Sequence, residues 1–267
     1  GLTLIFGVVR VLNIAHGEFL MIGMYAVWFL AQYAGLHPYT SAVLVAILLF
    51  ACGALMQRFV IQPLLSADAH IQIFATVGVS TSLLNLALMV FGADIRKAEV
   101  TFGTEPLSIG ALTFVSGQVI TFLTAMVVAT GMHLFLKHTY TGRAFRALAQ
   151  NRAAASLMGV NVGKTYVLAF GIGASLVGLA SGLLAVQYPA FPTVGQYFVL
   201  TAFVIVVLGG MGSLPGAVIG SFFIGLIDSL AGFYVGPALK EVVYFIVFLL
   251  ILFVRPTGLF GLGRGSE

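Results

Sequence analysis

Long apolar runs, almost free of charge, dominate this sequence and restrict what it can fold into. Hydrophobic residues make up 60% of the chain and charged residues 7%, whereas a soluble domain has roughly 25% charged residues. So few charges cannot cover a water-facing surface. In lipid, only helices and closed barrels pair every backbone polar group, and continuous rather than alternating apolar runs argue against a barrel. The sequence therefore predicts a helical integral membrane protein.

Several apolar segments are candidates for helices in the membrane. They are 1–9, 19–33, 40–57, 71–91, 118–136, 166–187, 197–209, 216–231 and 240–254. The first is shorter than the roughly 20 residues that a span needs, so we expect the front of that helix to lie outside the given sequence. We predict an all-α membrane protein with about eight to nine transmembrane helices, some broken or re-entrant. Residues 1–267 are expected to form a single domain.

The long polar stretch at residues 137–165, which we call the basic loop, carries five cations and no Asp or Glu. Loops rich in Lys and Arg stay in the cytoplasm, so we predict that the basic loop is cytoplasmic. Alternation of the spans then places nine cations inside, together with the C-terminus, and three outside. The inner cations are Arg10, Arg58, Lys137, Arg143, Arg146, Arg152, Lys164, Arg255 and Arg264, and the outer ones are Arg96, Lys97 and Lys240.

The interior of the basic loop predicts a short helix. Residues 143–158 are rich in good helix formers, and Gly159 is a natural terminator. Apolar side chains at Phe145, Leu148 and Met158 suit a helix that docks another protein at the membrane surface. The cations alone are also explained by contact with anionic lipid head groups. Both interpretations remain open from composition.

Two polar interruptions break the helical pattern. One is the stretch 10–18, and the other is the Gly-rich stretch 209–216, in which Ser213 and Pro215 resemble the start of a new helix. Irregular backbone near a bilayer is tolerated where protein or a wet cavity surrounds it, so both are candidates for a translocation path. Ordinary turns at the inner face explain them equally well. The candidate path residues are Asn13, His16, Glu18, Gly209, Gly210, Gly212 and Ser213.

The side chains in the first interruption have two explanations. Asn13 and His16 share a helix face, and capping of backbone groups is the favoured explanation for them. An ionisable group such as Glu18 within a span costs roughly 2.5–3.5 kcal/mol on insertion scales, which favours a functional role. Elsewhere, Ala174, Gly178 and Gly182 recur at intervals of four, and this spacing predicts close helix packing.

No constellation for catalysis or metal binding is visible in the sequence. The single cysteine, Cys52, lies in an apolar run, and the histidines are scattered. The segment Gly159–Thr165 resembles a phosphate loop but has three residues, not four, before its Gly-Lys-Thr. We therefore predict no enzyme activity, no metal and no cofactor, with any ATP bound by partner subunits. The net charge of +4 is too modest to indicate nucleic-acid binding.

Four segments, taken in order, resemble the permease subunits of branched-chain amino acid ABC importers. They are residues 1–23, 142–161, 207–220 and 255–261, and the Asn-Ile-Ala-His-Gly-Glu sequence at 13–18 resembles the H-type subunit. The resemblance implies a bacterial inner-membrane machine that imports branched-chain or related amino acids. Its partners are a second permease subunit, two cytoplasmic ATPase subunits and a periplasmic solute-binding protein, in contact with membrane lipid.

The resemblance also implies that the basic loop is the element coupled to the ATPases. Ala153, Ala154, Ala155 and Gly159 fit the importer spacing, although Ala153 stands where other importers have Glu. The implied coupling residues are Arg143, Phe145, Arg146, Leu148, Arg152, Met158 and Gly159.

Two other functions compete with this one. A stand-alone channel for a small polar solute such as urea or an amide suits the glycine-rich breaks, but it has no use for a docking loop. An ion-coupled carrier predicts an inverted repeat, and none is evident in the sequence.

Overall fold

The computed structural model describes residues 1–98, 100, 102–109, 112–237, 239–255, 258 and 260. Helices dominate these ranges, and each apolar segment predicted from the sequence is helical. The α-helices are α1 (Leu2–Val9), α2 (His16–Ala34), α3 (Pro38–Met56), α4 (Ala69–Phe91), α5 (Ser116–His138), α6 (Tyr140–Gln150), α7 (Arg152–Leu157), α8 (Val162–Leu184), α9 (Val194–Gly209), α10 (Leu214–Tyr234) and α11 (Lys240–Val254). The C-terminal tail with Arg264 lies outside the described residues.

Five helical segments of the described chain are long and apolar enough to cross a membrane. They are Pro38–Leu64, Ala69–Phe91, Ser116–His138, Val162–Leu184 and Leu214–Tyr234, and Val194–Gly209 is a shorter apolar helix. The multi-pass helical membrane class is therefore confirmed, whereas a count of eight to nine spans is not. The 15 residues of α11 rise about 22 Å, which is less than the roughly 30 Å of a hydrocarbon core.

Helices α3 and α8 form the most intimate pair in the molecule. A Cβ added to Gly178 would lie 2.5 Å from the Cα of Ala46, and one added to Gly53 would lie 2.5 Å from the Cβ of Ala174. Small residues at these positions let the two backbones approach, which increases dispersion contacts where lipid removes the hydrophobic driving force between helices. The small-residue spacing predicted from the sequence thus packs within this chain.

The core is divided into two clusters. The larger one joins α1, α2, α3, α6 and α8, and its most buried side chains include Tyr25, Phe145 and Phe170. A smaller cluster of Val204, Leu208, Ile224 and Tyr244 joins α9, α10 and α11. Helices α4 and α5 lie at the periphery with few buried residues, so their apolar faces are left for lipid or another subunit.

The loop between α4 and α5 contains a short β-hairpin, which departs from the purely α-helical prediction. Strands β1 (Pro106–Ile109) and β2 (Leu112–Val115) are antiparallel, with Pro106 opposite Val115. Arg96 anchors this loop, because its backbone N–H and carbonyl pair with Ala190 and its guanidinium stacks 4.6 Å from the Trp28 ring centre. This end of the molecule is opposite to the basic loop along α5.

Candidate functional site

The first helix break is the non-helical segment 10–15, which connects α1 to α2. Helix α1 ends at Arg10, a non-glycine residue with φ of 59°, a conformation that costs roughly 1–2 kcal/mol. Beyond it Asn13, His16 and Glu18 are all buried, with exposed fractions of 0%, 7% and 1%. Both side-chain polar atoms of Asn13, Nδ1 of His16 and Oε2 of Glu18 have no hydrogen-bond partner among the described residues. Capping of the helix therefore does not account for these side chains.

Helix α4 supplies the polar partners of this break. The Ser80 hydroxyl donates a 3.0 Å hydrogen bond to Oε1 of Glu18. One turn earlier, Thr76 Oγ1 accepts from the backbone N–H of Ile14 at 3.4 Å and lies 3.3 Å from the carbonyl oxygen of Leu12. Helix α4 thus satisfies part of the hydrogen-bonding capacity of the backbone in the break. Thr76 and Ser80 were not among the residues predicted from the sequence, although two hydroxyls spaced by four in an apolar span were a signal.

The second break joins α9 to α10 through residues 210–213. Gly210 and Gly212 adopt φ values of 96° and 87°, which glycine tolerates without a steric penalty. Ser213 caps α10 by accepting from the N–H of Gly216 at 3.1 Å, and Pro215 follows in the first turn. The predicted start signals are confirmed. Gly209 and Gly216 lie backbone to backbone, so the chain turns back sharply.

The second break meets helix α1, which leads into the first break, although the two segments are far apart in sequence. A Cβ added to Gly7 of α1 would lie 3.0 Å from the Cα of Gly212. A small cavity of about 70 Å³ lies at this junction, and its walls come from α1, α5, α6 and the start of α10. Tertiary structure therefore joins Gly212, one member of the predicted path set, to the helix that leads into Asn13, His16 and Glu18.

Helix α6 of the basic loop is packed directly onto this junction. Phe145 and Leu148 are buried, with exposed fractions of 1% and 3%, and Phe145 lines the small cavity. The guanidinium of Arg10 donates a 2.7 Å hydrogen bond to the carbonyl oxygen of Ala149 in the last turn of α6. Helix α6 is therefore joined to α1 by packing and to the first break by a charge-assisted hydrogen bond.

The loop helix predicted over 143–158 is divided in two. Asn151 separates α6 from α7, and its side-chain oxygen accepts from the N–H of Ala154 at 3.0 Å, a favourable N-cap. Gly159 follows with φ of 87°, as expected for a helix terminator.

The seven predicted coupling residues fall on two sides of the basic loop. Phe145 and Leu148 face the core and hold the loop in place. The remaining five are exposed, and we call them the outer face: Arg143, Arg146, Arg152, Met158 and Gly159. Arg146 also borders the small cavity and donates a 3.3 Å hydrogen bond to the carbonyl oxygen of Lys137, and the guanidinium carbon of Arg152 lies 5.8 Å from the Tyr166 ring centre. Leu157 and Met158 are 88% and 85% exposed. Large apolar side chains beside cations on a loop surface are typical of a contact site.

A larger cavity of about 380 Å³ lies beside the first break, between α1, α2, α8 and α9. Its walls are mostly aliphatic, with Phe198 as the aromatic member and Thr3, His16 and Thr201 as the polar side chains. The second break does not line this cavity. Groups of three or more His, Cys, Asp or Glu residues that could hold a metal ion are absent from the described residues.

These features define a multi-pass membrane protein with two helix breaks, buried polar side chains at the first of them and an attached surface loop. The family model described as branched-chain amino acid transport system / permease component matches residues 1–252. The high-affinity branched-chain amino acid transport system permease proteins BraD of Pseudomonas aeruginosa and LivH of Escherichia coli are 31% and 30% identical. Each alignment covers 98% of this chain and 89% of the relative. No solved structure matches the chain.

The chain belongs to the family of permease components of branched-chain amino acid transport systems. A probable LivH permease of Methanocaldococcus jannaschii is 26% identical over 98% of the chain. The resemblance found in four sequence segments is thereby confirmed, and so is a transport permease component in preference to a stand-alone channel. The relatives are transport permeases, which fits a protein without enzyme activity of its own.

Proposed function

We propose that this chain is the H-type permease subunit of an ATP-driven importer in a bacterial inner membrane. Its path carries branched-chain or related amino acids that a periplasmic binding protein delivers. A second permease subunit completes the path, and two cytoplasmic ATPase subunits bind the ATP. The names of the relatives support the solute class.

The observation that carries this proposal is the attachment of the basic loop to both helix breaks. Phe145 of α6 lines the junction at which Gly7 meets Gly212, and Arg10 is bonded to Ala149. A force applied to the exposed face of α6 and α7 reaches the buried polar residues without crossing a flexible linker. A channel that opens by itself needs no such connection.

The chemistry of the candidate path suits a solute with an aliphatic side chain. The cavity beside His16 and Thr201 has aliphatic and aromatic walls, which favour the burial of apolar surface. Asn13, His16 and Glu18 retain unpaired polar atoms, which suit a solute that carries charged ammonium and carboxylate groups. In this proposal Gly209, Gly210, Gly212 and Ser213 shape the path rather than contact the solute.

The proposal is tested by reversing the charge of the exposed face. In the double variant Arg146→Glu and Arg152→Glu, recovery of the ATPase subunits with the purified permease should fall about tenfold or more. Reversed charges at an interface weaken binding, and a total loss of roughly 1.4 kcal/mol is already a tenfold change. Lys97→Glu, an exposed cation of the loop between α4 and α5, serves as the control. Undiminished ATPase recovery in the double variant, with its thermal stability intact, would overturn the proposal.

A further inference from the structure

A polar cleft separate from both helix breaks lies between the irregular turns that follow α3 and the start of α8. It has a volume of about 390 Å³ and is lined by Arg58, Gln62, Asn161, Gly163, Lys164, Val167 and Leu168. None of these residues belongs to the candidate path or to the proposed docking face. Both cations are exposed, and neither forms an ion pair with a described Asp or Glu.

The helix that carries Arg58 is irregular at this point. Helix α3 passes into a π-helical turn, Gln57–Ile61, and then into a 3₁₀ turn, Gln62–Leu64. Pro63 lacks an N–H, so the regular ladder cannot continue. A π-turn alters the direction of the side chains that follow and is frequent at functional sites. Arg58 and Gln62 both reach the cleft from this altered segment.

The opposite wall comes from the start of α8. Asn161 caps this helix by accepting from the N–H of Lys164 at 3.0 Å, so the positive end of a 23-residue helix and the Lys164 side chain border the same cleft. A Cβ added to Gly163 would lie 3.0 Å from Nε2 of Gln62. The absence of a side chain at Gly163 therefore leaves room for the Gln62 amide.

The cleft is amphipathic along the direction of α8. Two cations and two amides lie at one end, where Asn161 and Lys164 belong to the last part of the basic loop, whereas Val167 and Leu168 continue the wall toward the apolar part of the helix. Leu168 is 40% exposed. This order, polar at the surface and apolar inward, matches a phosphate group that is covalently joined to acyl chains. Basic pockets between membrane helices suit such head groups.

We propose that this cleft binds the phosphate of an anionic phospholipid, with Arg58 and Lys164 as the charge partners and Val167 and Leu168 against the acyl chain. The proposal does not depend on the identity of the transported solute or on the direction of transport.

The test uses the full chain in nanodiscs of phosphatidylcholine with a minor fraction of phosphatidylglycerol, and it measures phosphatidylglycerol bound to the purified permease. Arg58→Gln and Lys164→Gln should each weaken binding about fivefold, and the pair about 25-fold. Lys137→Gln, which removes a basic-loop cation outside the cleft, should leave binding unchanged. Gly163→Leu should weaken binding with no change in charge, because it obstructs the cleft.

Two further measurements identify the source of the anion. Inorganic phosphate alone should not compete with phosphatidylglycerol, since it lacks acyl chains, and effective competition would show a free-phosphate site and overturn the lipid assignment. Equal weakening by Lys137→Gln would show diffuse charge only and would also overturn it. If the variant with both Arg58→Gln and Lys164→Gln lost the ATPase subunits but kept its lipid binding, the cleft would belong to the ATPase interface instead.

Discussion

Individual buried polar side chains show most clearly how this fold differs from a purely apolar helix bundle. Glu18 is buried within α2 and has a single partner among the described side chains, the Ser80 hydroxyl. Burial of a carboxyl group costs free energy, and this one side-chain hydrogen bond offsets part of that cost. Asn13 is equally buried with neither polar atom paired, so these residues hold unused hydrogen-bonding capacity.

The contribution of Ser80 can be measured against a neighbour on the same helix. Ser80→Ala leaves both oxygens of Glu18 unpaired and should lower the free energy of unfolding by about 1–3 kcal/mol. Ser82→Ala is the matched control, because Ser82 is exposed and bonds only to the carbonyl oxygen of Gly78 in its own helix. Thermal unfolding in detergent compares the two variants. Equal shifts would show that the Glu18–Ser80 bond contributes little.

At the scale of elements, close approach of α3 and α8 organises the large core cluster. Their contact depends on small residues at fixed spacing, and this spacing predicted close packing of α8 from the sequence without specifying α3 as its partner. Helix α6 is attached by a different principle, since it presents Phe145 and Leu148 to the core and its cations to the outside. Its amphipathic character explains why a helix in a polar loop is firmly seated.

Enlarging a residue at the α3–α8 contact should separate the two helices. Gly178→Leu places side-chain atoms where the backbone of Ala46 already lies, and overpacking of this kind typically costs about 1–3 kcal/mol. The melting temperature in detergent should therefore fall.

Gly131→Leu in α5 is the control, because a Cβ at Gly131 meets no described atom within 4 Å. A melting temperature that falls as far in Gly131→Leu as in Gly178→Leu would contradict the assignment of this contact as the main helix pair.

For the molecule as a whole, the basic loop and the β-hairpin lie at opposite ends of α5, which is long enough to cross a membrane. The hairpin side carries Arg96, which is used structurally through Trp28 and Ala190. The basic-loop side carries cations without described acidic partners. This asymmetry of charge corresponds to the rule that Lys and Arg remain inside.

Sidedness can be tested with single cysteines in a Cys52→Ala background, which removes the sole native thiol. Met158→Cys on the basic loop should react with a membrane-impermeant maleimide in inside-out vesicles but not in intact cells or spheroplasts. Ser108→Cys on β1 should show the opposite pattern. Labelling of both sites from the same side would contradict the predicted orientation.

Particular residues show how far the sequence could predict the fold. The segments 71–91 and 240–254 correspond to α4 and α11 within two residues, because apolar runs and helix ends are local properties. Asn151 was not predicted as a break, since the helix formers on either side conceal one capping residue. The β-hairpin was missed because its strands are only four residues long.

The sequence by itself determined the membrane class, the helical segments, the α10 start at Ser213 and the family. These follow from composition, from local backbone chemistry and from ordered motifs. Only the tertiary structure decided that Gly7 meets Gly212, that Arg10 bonds to Ala149 and that Ser80 pairs with Glu18. The two hydrogen bonds join residues that are 62 and 139 positions apart in the sequence. Local patterns cannot specify them, because the packing of whole helices selects which polar groups become neighbours.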